Sequence, residues 1–164
     1  MEEVSLREAT PLDAGTVAAL VRQAFQEYDG QLDPPSSAHH ETAEKVLQRM
    51  LGARVILAFR RQEPIGCCFY EENGDHLYFS RLSVLPAFRR RGVGHLLITG
   101  VEARAVELRL SRVRLGVRLA LEHLRAYYDR LGYRLVEYRR HEGYSRPTYV
   151  ILEKLLDTKS RMGL

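Results

Sequence analysis

The passage around residue 90 constrains the fold of this chain more than any other. An alternating stretch, His76–Val84, leads to Arg89, Arg90, Arg91, Gly92, Val93 and Gly94, and a stripe of helical spacing (Gly94, Leu97, Ile98, Val101, Ala105, Leu108) follows at once. A strand is therefore expected to enter a helix through a tight turn. The glycines let the backbone bend and let a bulky group approach it. The unpaired N–H groups of the helix's first turn favour an anion, and three guanidiniums add full positive charge. A phosphate suits such a turn. It is not a P-loop, because no Gly-Lys-Ser/Thr follows, and Leu97 stands where a dinucleotide fingerprint has its third glycine. On these residues alone, a plain helix start with solvated arginines fits equally well.

The rest of the chain reads as alternating strands and helices. Residues 4–9 alternate apolar and polar, as a first strand does. Thr10 and Pro11 then stand as N-cap and first helical residue, and Val17, Leu20, Val21, Ala24 and Tyr28 predict a helix to about Tyr28. Residues 31–40, with Pro34 and Pro35, read as loop. A second helix is expected over 41–51 with Val46, Leu47 and Met50 inward. Strands follow at 54–59 and 65–70, with a turn at Gln62, Glu63 and Pro64, and Asn73-Gly74 signals a hairpin into the 76–84 strand. Beyond the central helix, Val113, Leu115 and Val117 alternate as a strand. Leu121, Leu124, Tyr128 and Leu131 make a helix that Gly132 stops, and two closing strands lie near 133–138 and 148–154. This order describes a mixed α/β domain around one sheet.

Composition sets the outer bounds. The chain has 164 residues, 45% apolar and 28% charged, which fits one soluble domain and excludes global disorder. No run approaches the roughly 18 to 20 apolar residues of a membrane span, and the acidic N-terminus does not read as a secretory signal. Cys67 and Cys68 are adjacent, so they cannot staple distant segments and match no zinc spacing. They read as buried strand thiols in a reducing, cytoplasmic compartment. Residues 81–118 carry nine basic side chains against two acidic, whereas residues 1–80 carry seven against thirteen. This asymmetry suggests an anionic ligand in the middle of the chain. Arg112, Arg114 and Arg118 alternate with apolar residues and read as a solvated strand face. Nucleic-acid binding is not favoured, because interleaved exposed aromatics and a recognition helix are missing.

Leu82, Val84 and Pro86, followed by Arg89, Gly92 and Gly94, fill the pattern Leu-x-Val-x-Pro and Arg-x-x-Gly-x-Gly, which resembles the signature block of the GNAT superfamily of N-acetyltransferases. Residues 126–133, with Tyr127, Tyr128, Gly132 and Tyr133, resemble the superfamily's later aromatic block. The resemblance covers nearly the whole chain. It implies a single-domain α/β fold over residues 1–156 with a short tail at 157–164. The expected sheet is mixed, of about six to seven strands flanked by about four helices, with two central strands splayed around an acetyl-CoA cleft. By the same resemblance, Arg89, Arg90, Arg91, Gly92, Val93, Gly94 and His95 would hold the pyrophosphate. The strand edge at Leu82, Ser83 and Val84 would pair with the pantetheine arm.

Acetyl transfer to an amine makes three demands. The amine, with a pKa of about 10 for an alkylamine, must lose a proton. The oxyanion needs a donor, expected from the backbone near residues 82–84. The departing thiolate needs a proton, which the resemblance assigns to Tyr128, also counted with the donor-binding residues; helical spacing with Leu124 and Leu131 would equally make Tyr128 a core aromatic. Tyr127 is expected to be the more core-like of the two. The superfamily often carries Glu or His at the positions of Tyr78 and Ser80. This chain has neither, so a water chain lined by Tyr78 and Ser80 is the expected route for the amine proton. An asparagine that often contacts the donor is also missing, and His123 is the candidate substitute.

Residues 27–40 and the closing segment 141–147 would build the acceptor pocket, with Tyr28, Asp33, His39, His40 and Tyr144 as candidate contacts. The acidic loop would attract a cationic amine or simply be soluble. No histidine spacing calls for a metal. The expected function is acetyl-CoA-dependent N-acetyl transfer to a primary amine of a small molecule or protein, with no membrane or nucleic-acid partner and a homodimer compatible with the resemblance. A non-catalytic coenzyme A sensor is the alternative.

Overall fold

In the computed structural model, which describes residues 3–157, the chain divides into two compact units. One comprises the chain up to Glu71 together with Phe79–Ala103, the other Glu72–Tyr78 and the chain from Arg104 on. All but the first residue of the expected 157–164 tail lies outside the described residues. Seven strands hydrogen-bond in the order β1-β2-β3-β4-β5-β7-β6, with four α-helices, so the mixed α/β expectation is met. No helix among the described residues is long and apolar enough to cross a membrane.

The first unit is built on antiparallel β1 (Val4–Glu8), β2 (Arg54–Arg60) and β3 (Glu63–Asn73). β3 begins inside the expected turn: Arg61 takes the left-handed conformation that closes the hairpin, and Pro64 sits at a register shift between Ala58 and Phe59. A bulge is where a strand tolerates proline. Residues 65–70 are all buried, as a strand covered on both faces must be. On one face Val55, Leu57, Cys67 and Phe69 pack with Val17, Leu20 and Val21 of α1 (Ala14–Phe25) and Val46 of α2 (Ala43–Arg49). On the other lies α3 (Val93–Glu107), and a Cβ on Gly100 would meet Leu6 and Ile56. α2 is shorter than expected, and Leu47, expected inward, is 42% exposed because one seven-residue helix presents only Val46 squarely to the core.

In the second unit the first residues of β4 (His76–Val84) pair in parallel with β5 (Arg112–Arg118) through Leu77–Val113 and Tyr78–Arg114. β5 pairs antiparallel with β7 (Tyr149–Leu155), and β7 with the edge strand β6 (Arg134–Arg139). α4 (Glu122–Arg130) precedes β6.

Candidate functional site

The turn after β4 owes its position to one glycine. A Cβ on Gly66 of β3 would stand 2.7 Å from the Ser83 carbonyl oxygen, 3.2 Å from Leu97 and 3.5 Å from Val93. The bare Cα therefore lets the first turn of α3 settle onto β3 beside the end of β4. Ser83 is itself buried, with its hydroxyl donating to the Arg81 carbonyl at 2.9 Å, so it can offer a ligand only backbone groups. Leu82 and Val84 are half-buried.

Pro86 opens a short 3-10 turn, Pro86–Phe88, and Arg90 and Gly92 both take positive φ, 62° and 82°. Leu96 donates the first helical bond, to the Gly92 carbonyl, so the N–H groups of Val93, Gly94 and His95 precede the i→i−4 ladder. Nothing lies within 4 Å of where a Gly92 Cβ would stand. The backbone thus has the form and the room that an anionic group needs.

The three arginines divide. Arg89 donates to Glu27 at 2.5 Å, to the Ala24 carbonyl at 2.7 Å and to the Val84 carbonyl at 3.2 Å, tying the end of α1 to the end of β4. Its guanidinium is thus engaged as a brace. Arg90 is exposed, and Arg91 stacks its guanidinium 5.7 Å from the centre of the Phe88 ring. These two keep charge at the turn.

Further back on β4, Arg49 Nη2 donates to the Ser80 hydroxyl at 2.9 Å while stacking over Phe69, which leaves the hydroxyl's own proton to donate. Beside it, Arg81 adopts φ 55° and reaches Glu41 at 3.3 Å and Ser37 at 2.6 Å. Glu41 is 3% exposed, and burial holds Arg81 below the usual guanidinium range against the raising pull of Glu41. This pair anchors the 3-10 turn Ser37–His40 to β4. Sequence reasoning passed over Arg49, Glu41 and Arg81, whose partners lie 30 to 45 residues away. Gly66 carried a readable signal, a glycine inside an apolar strand.

The candidate acceptor residues of this loop scatter. Tyr28 packs edge-on to Phe25, and burial, then the charge of Glu27, raises its phenol. Asp33 and His40 are exposed, the His40 carbonyl accepting from Lys45. His39 buries its Nε2 without a hydrogen-bond partner. The two thiols are buried as expected; burial raises Cys67 to about 12 and Cys68 well above the ordinary range.

In the second unit, Tyr128 is 4% exposed and edge-on to both Tyr127 and Tyr133, while Tyr127 is only half-buried. The expected order of the two is reversed: Tyr128 shares the inner face of α4 with Leu124 and Leu131, and the adjacent residue is turned about 100° away. His123 is exposed. Arg112 and Arg114 are not a solvated face. Both bind Glu153 of β7, at 3.0 and 2.6 Å, and Glu153 is 9% exposed. The Tyr78 hydroxyl lies over β5 at Gly116, 2.9 Å from where a Cβ would stand, and the Tyr149 ring lies 3.4 Å from the same point. Tyr144 donates its N–H to the His141 carbonyl, with the two rings 6.4 Å apart. A cavity of about 420 Å³ beside α4, between Glu122, Asp129, Tyr133 and Leu152, contains none of the expected site residues.

The strand, turn and helix belong to a mixed α/β fold with a seven-stranded sheet, and the comparisons with known proteins narrow its class. The acetyltransferase (GNAT) family model matches residues 18–133, and the chain belongs to that family. No curated protein matches the sequence. Among solved structures, the PaiA N-acetyltransferase of Thermoplasma acidophilum in complex with coenzyme A is 17% identical with a TM-score of 0.75, over 93% of this chain and 99% of that one. The ribosomal-protein-S18-alanine N-acetyltransferase of Escherichia coli is 14% identical with a TM-score of 0.74, over 94% of each chain. A GNAT family acetyltransferase of Elizabethkingia anophelis with acetyl-CoA bound is 17% identical with a TM-score of 0.68, over 95% of this chain and 100% of that one. At these identities the likeness is one of fold. Family membership supports acyltransferase activity for the chain.

Proposed function

We propose that this chain, with residues 1–156 acting as one catalytic domain in the cytoplasm, transfers the acetyl group of acetyl-CoA to a primary amine of a small molecule or protein by direct attack. The turn carries the reading: the N–H groups at 93–95, the open Gly92 and the charges of Arg90 and Arg91 suit a pyrophosphate. Backbone groups of Leu82 and Val84 would pair with the pantetheine arm as an added strand would. When bound, acetyl-CoA supplies the thioester carbonyl and the leaving thiolate. Tyr128 is the residue proposed to protonate that thiolate, because its burial limits competition from bulk water. Acidic residues of the 27–40 loop would draw in a cationic acceptor.

Release of free thiol from acetyl-CoA, followed with a panel of primary amines, tests the reading. Turnover is expected with at least one amine and should fall about 100-fold in Tyr128→Phe with acetyl-CoA affinity retained. Tight acetyl-CoA binding without thiol release for any amine would favour the sensor alternative.

A further inference from the structure

The reading above leaves open what the acceptor carries besides its amine. Within the first unit, the stretch of β4 just before the proposed pantetheine edge is crowded with guanidiniums. Arg22 of α1 donates to the Glu41 carbonyl at 2.7 Å, Arg81 reaches the Glu41 carboxylate at 3.3 Å, and Arg49 donates to the Ser80 hydroxyl at 2.9 Å. Among the described residues, Glu41 is the one carboxylate within 4 Å of any of the three. Arg81 takes that carboxylate, and Arg22 is exposed to water. Arg49 is left half-buried and without an anion.

Arg49 is held in place without being neutralised. It is the last residue of α2, and its guanidinium stands 4.3 Å from the centre of the Phe69 ring. A ring face and a hydroxyl fix the planar fork and leave its charge whole. That charge is felt by its neighbour: burial lowers Arg81, Glu41 raises it, and the like charge of Arg49 lowers it again. The Ser80 hydroxyl accepts from Arg49, and among the described residues nothing accepts its proton. Spare guanidinium N–H groups and a hydroxyl proton therefore lie side by side, and the two oxygens of a carboxylate suit both. Ser80 stands two residues before Leu82, about 7 Å along an extended strand. A hydrogen bond of about 2.9 Å, followed by the single carbon between the carboxylate and the amine of an α-amino acid, spans most of that distance.

We propose that Arg49 and Ser80 seat a carboxylate of the acceptor, which makes the acceptor a free amino acid and not a plain alkylamine or a protein amine; the proposal rests on the acetyltransferase reading. The acidic residues of the 27–40 loop then concern the ammonium end of the acceptor, and Arg49 concerns its carboxylate end.

Thiol release from acetyl-CoA with a set of free amino acids, and with the matching amino amides, tests this. The amides keep the amine, lose the anion and imitate the first residue of a protein. In the wild type, kcat/KM for the preferred amino acid should exceed that of its amide by at least about tenfold. In Arg49→Gln the acid-to-amide ratio should fall by about tenfold or more, mainly through KM for the acid. Each ratio is taken on one preparation, so any loss of folded protein cancels. Arg49→Lys, which keeps a charge, should hold an intermediate ratio. Amides used as well as amino acids by the wild type, or an unchanged ratio in Arg49→Gln, overturns the inference alone. Absence of thiol release with every amine of both sets overturns the acetyltransferase reading and the inference with it.

Discussion

Arginine does opposite work in two parts of this molecule. At the turn, Arg90 and Arg91 bring charge to backbone N–H groups, with Arg91 resting on Phe88. On β5, Arg112 and Arg114 are consumed by one buried carboxylate, Glu153. The excess of nine basic over two acidic side chains across residues 81–118 had suggested one anion-binding region. Five of those nine, Arg81, Arg89, Arg104, Arg112 and Arg114, are paired with carboxylates, which removes them from the field a ligand would meet. Summed charge is therefore a poor guide to a site, and unpaired charge beside oriented N–H groups is a better one.

Substitutions can break this contrast, beginning with the largest expected effect. Glu153→Gln takes the anion from Arg114 and leaves the more exposed Arg112 only Asp75 at 3.8 Å, and should cost about 2 kcal/mol, seen as a shifted urea midpoint. Acetyl-CoA affinity should not change. Arg89→Ala removes three charged hydrogen bonds and should cost about 2 kcal/mol on the same measure. The double substitution Arg90→Ala and Arg91→Ala should leave stability within about 0.5 kcal/mol and weaken acetyl-CoA binding roughly tenfold at low salt, with the gap closing as salt rises. The smallest effect belongs to an exposed pair. Arg7 holds Asp13 down to about 2, so this carboxylate contributes stability above its unfolded value near 4 and loses it as pH falls from there toward 2. Arg7→Ala should flatten that limb of the acid-unfolding curve.

What could be read from sequence followed the range of the interactions involved. β4, the turn and α3 are set by local alternation, glycines and a helical stripe, and all three stand where those patterns put them, β4 at His76–Val84. Helical spacing also put Tyr128 on the inner face of its helix, whereas family likeness pointed to Tyr127. Side-chain employment was hidden. Glu27 lies 62 residues from Arg89 and Glu41 lies 40 from Arg81, and no local pattern encodes such pairs. The His141–Thr148 contact spans only seven residues, but the Tyr149 ring beside it stands at Gly116 through the register of β5 against β7.

The central claim is that the turn at residues 90–95 receives the diphosphate of acetyl-CoA. Calorimetric titration of acetyl-CoA into the wild-type protein and into Gly92→Val, where a side chain would stand in the open space at φ 82°, tests it directly. One site per chain, weakened at least tenfold in the variant with folding retained, is the predicted result. Absence of binding heat in the wild type, or equal affinity in both proteins, would contradict it.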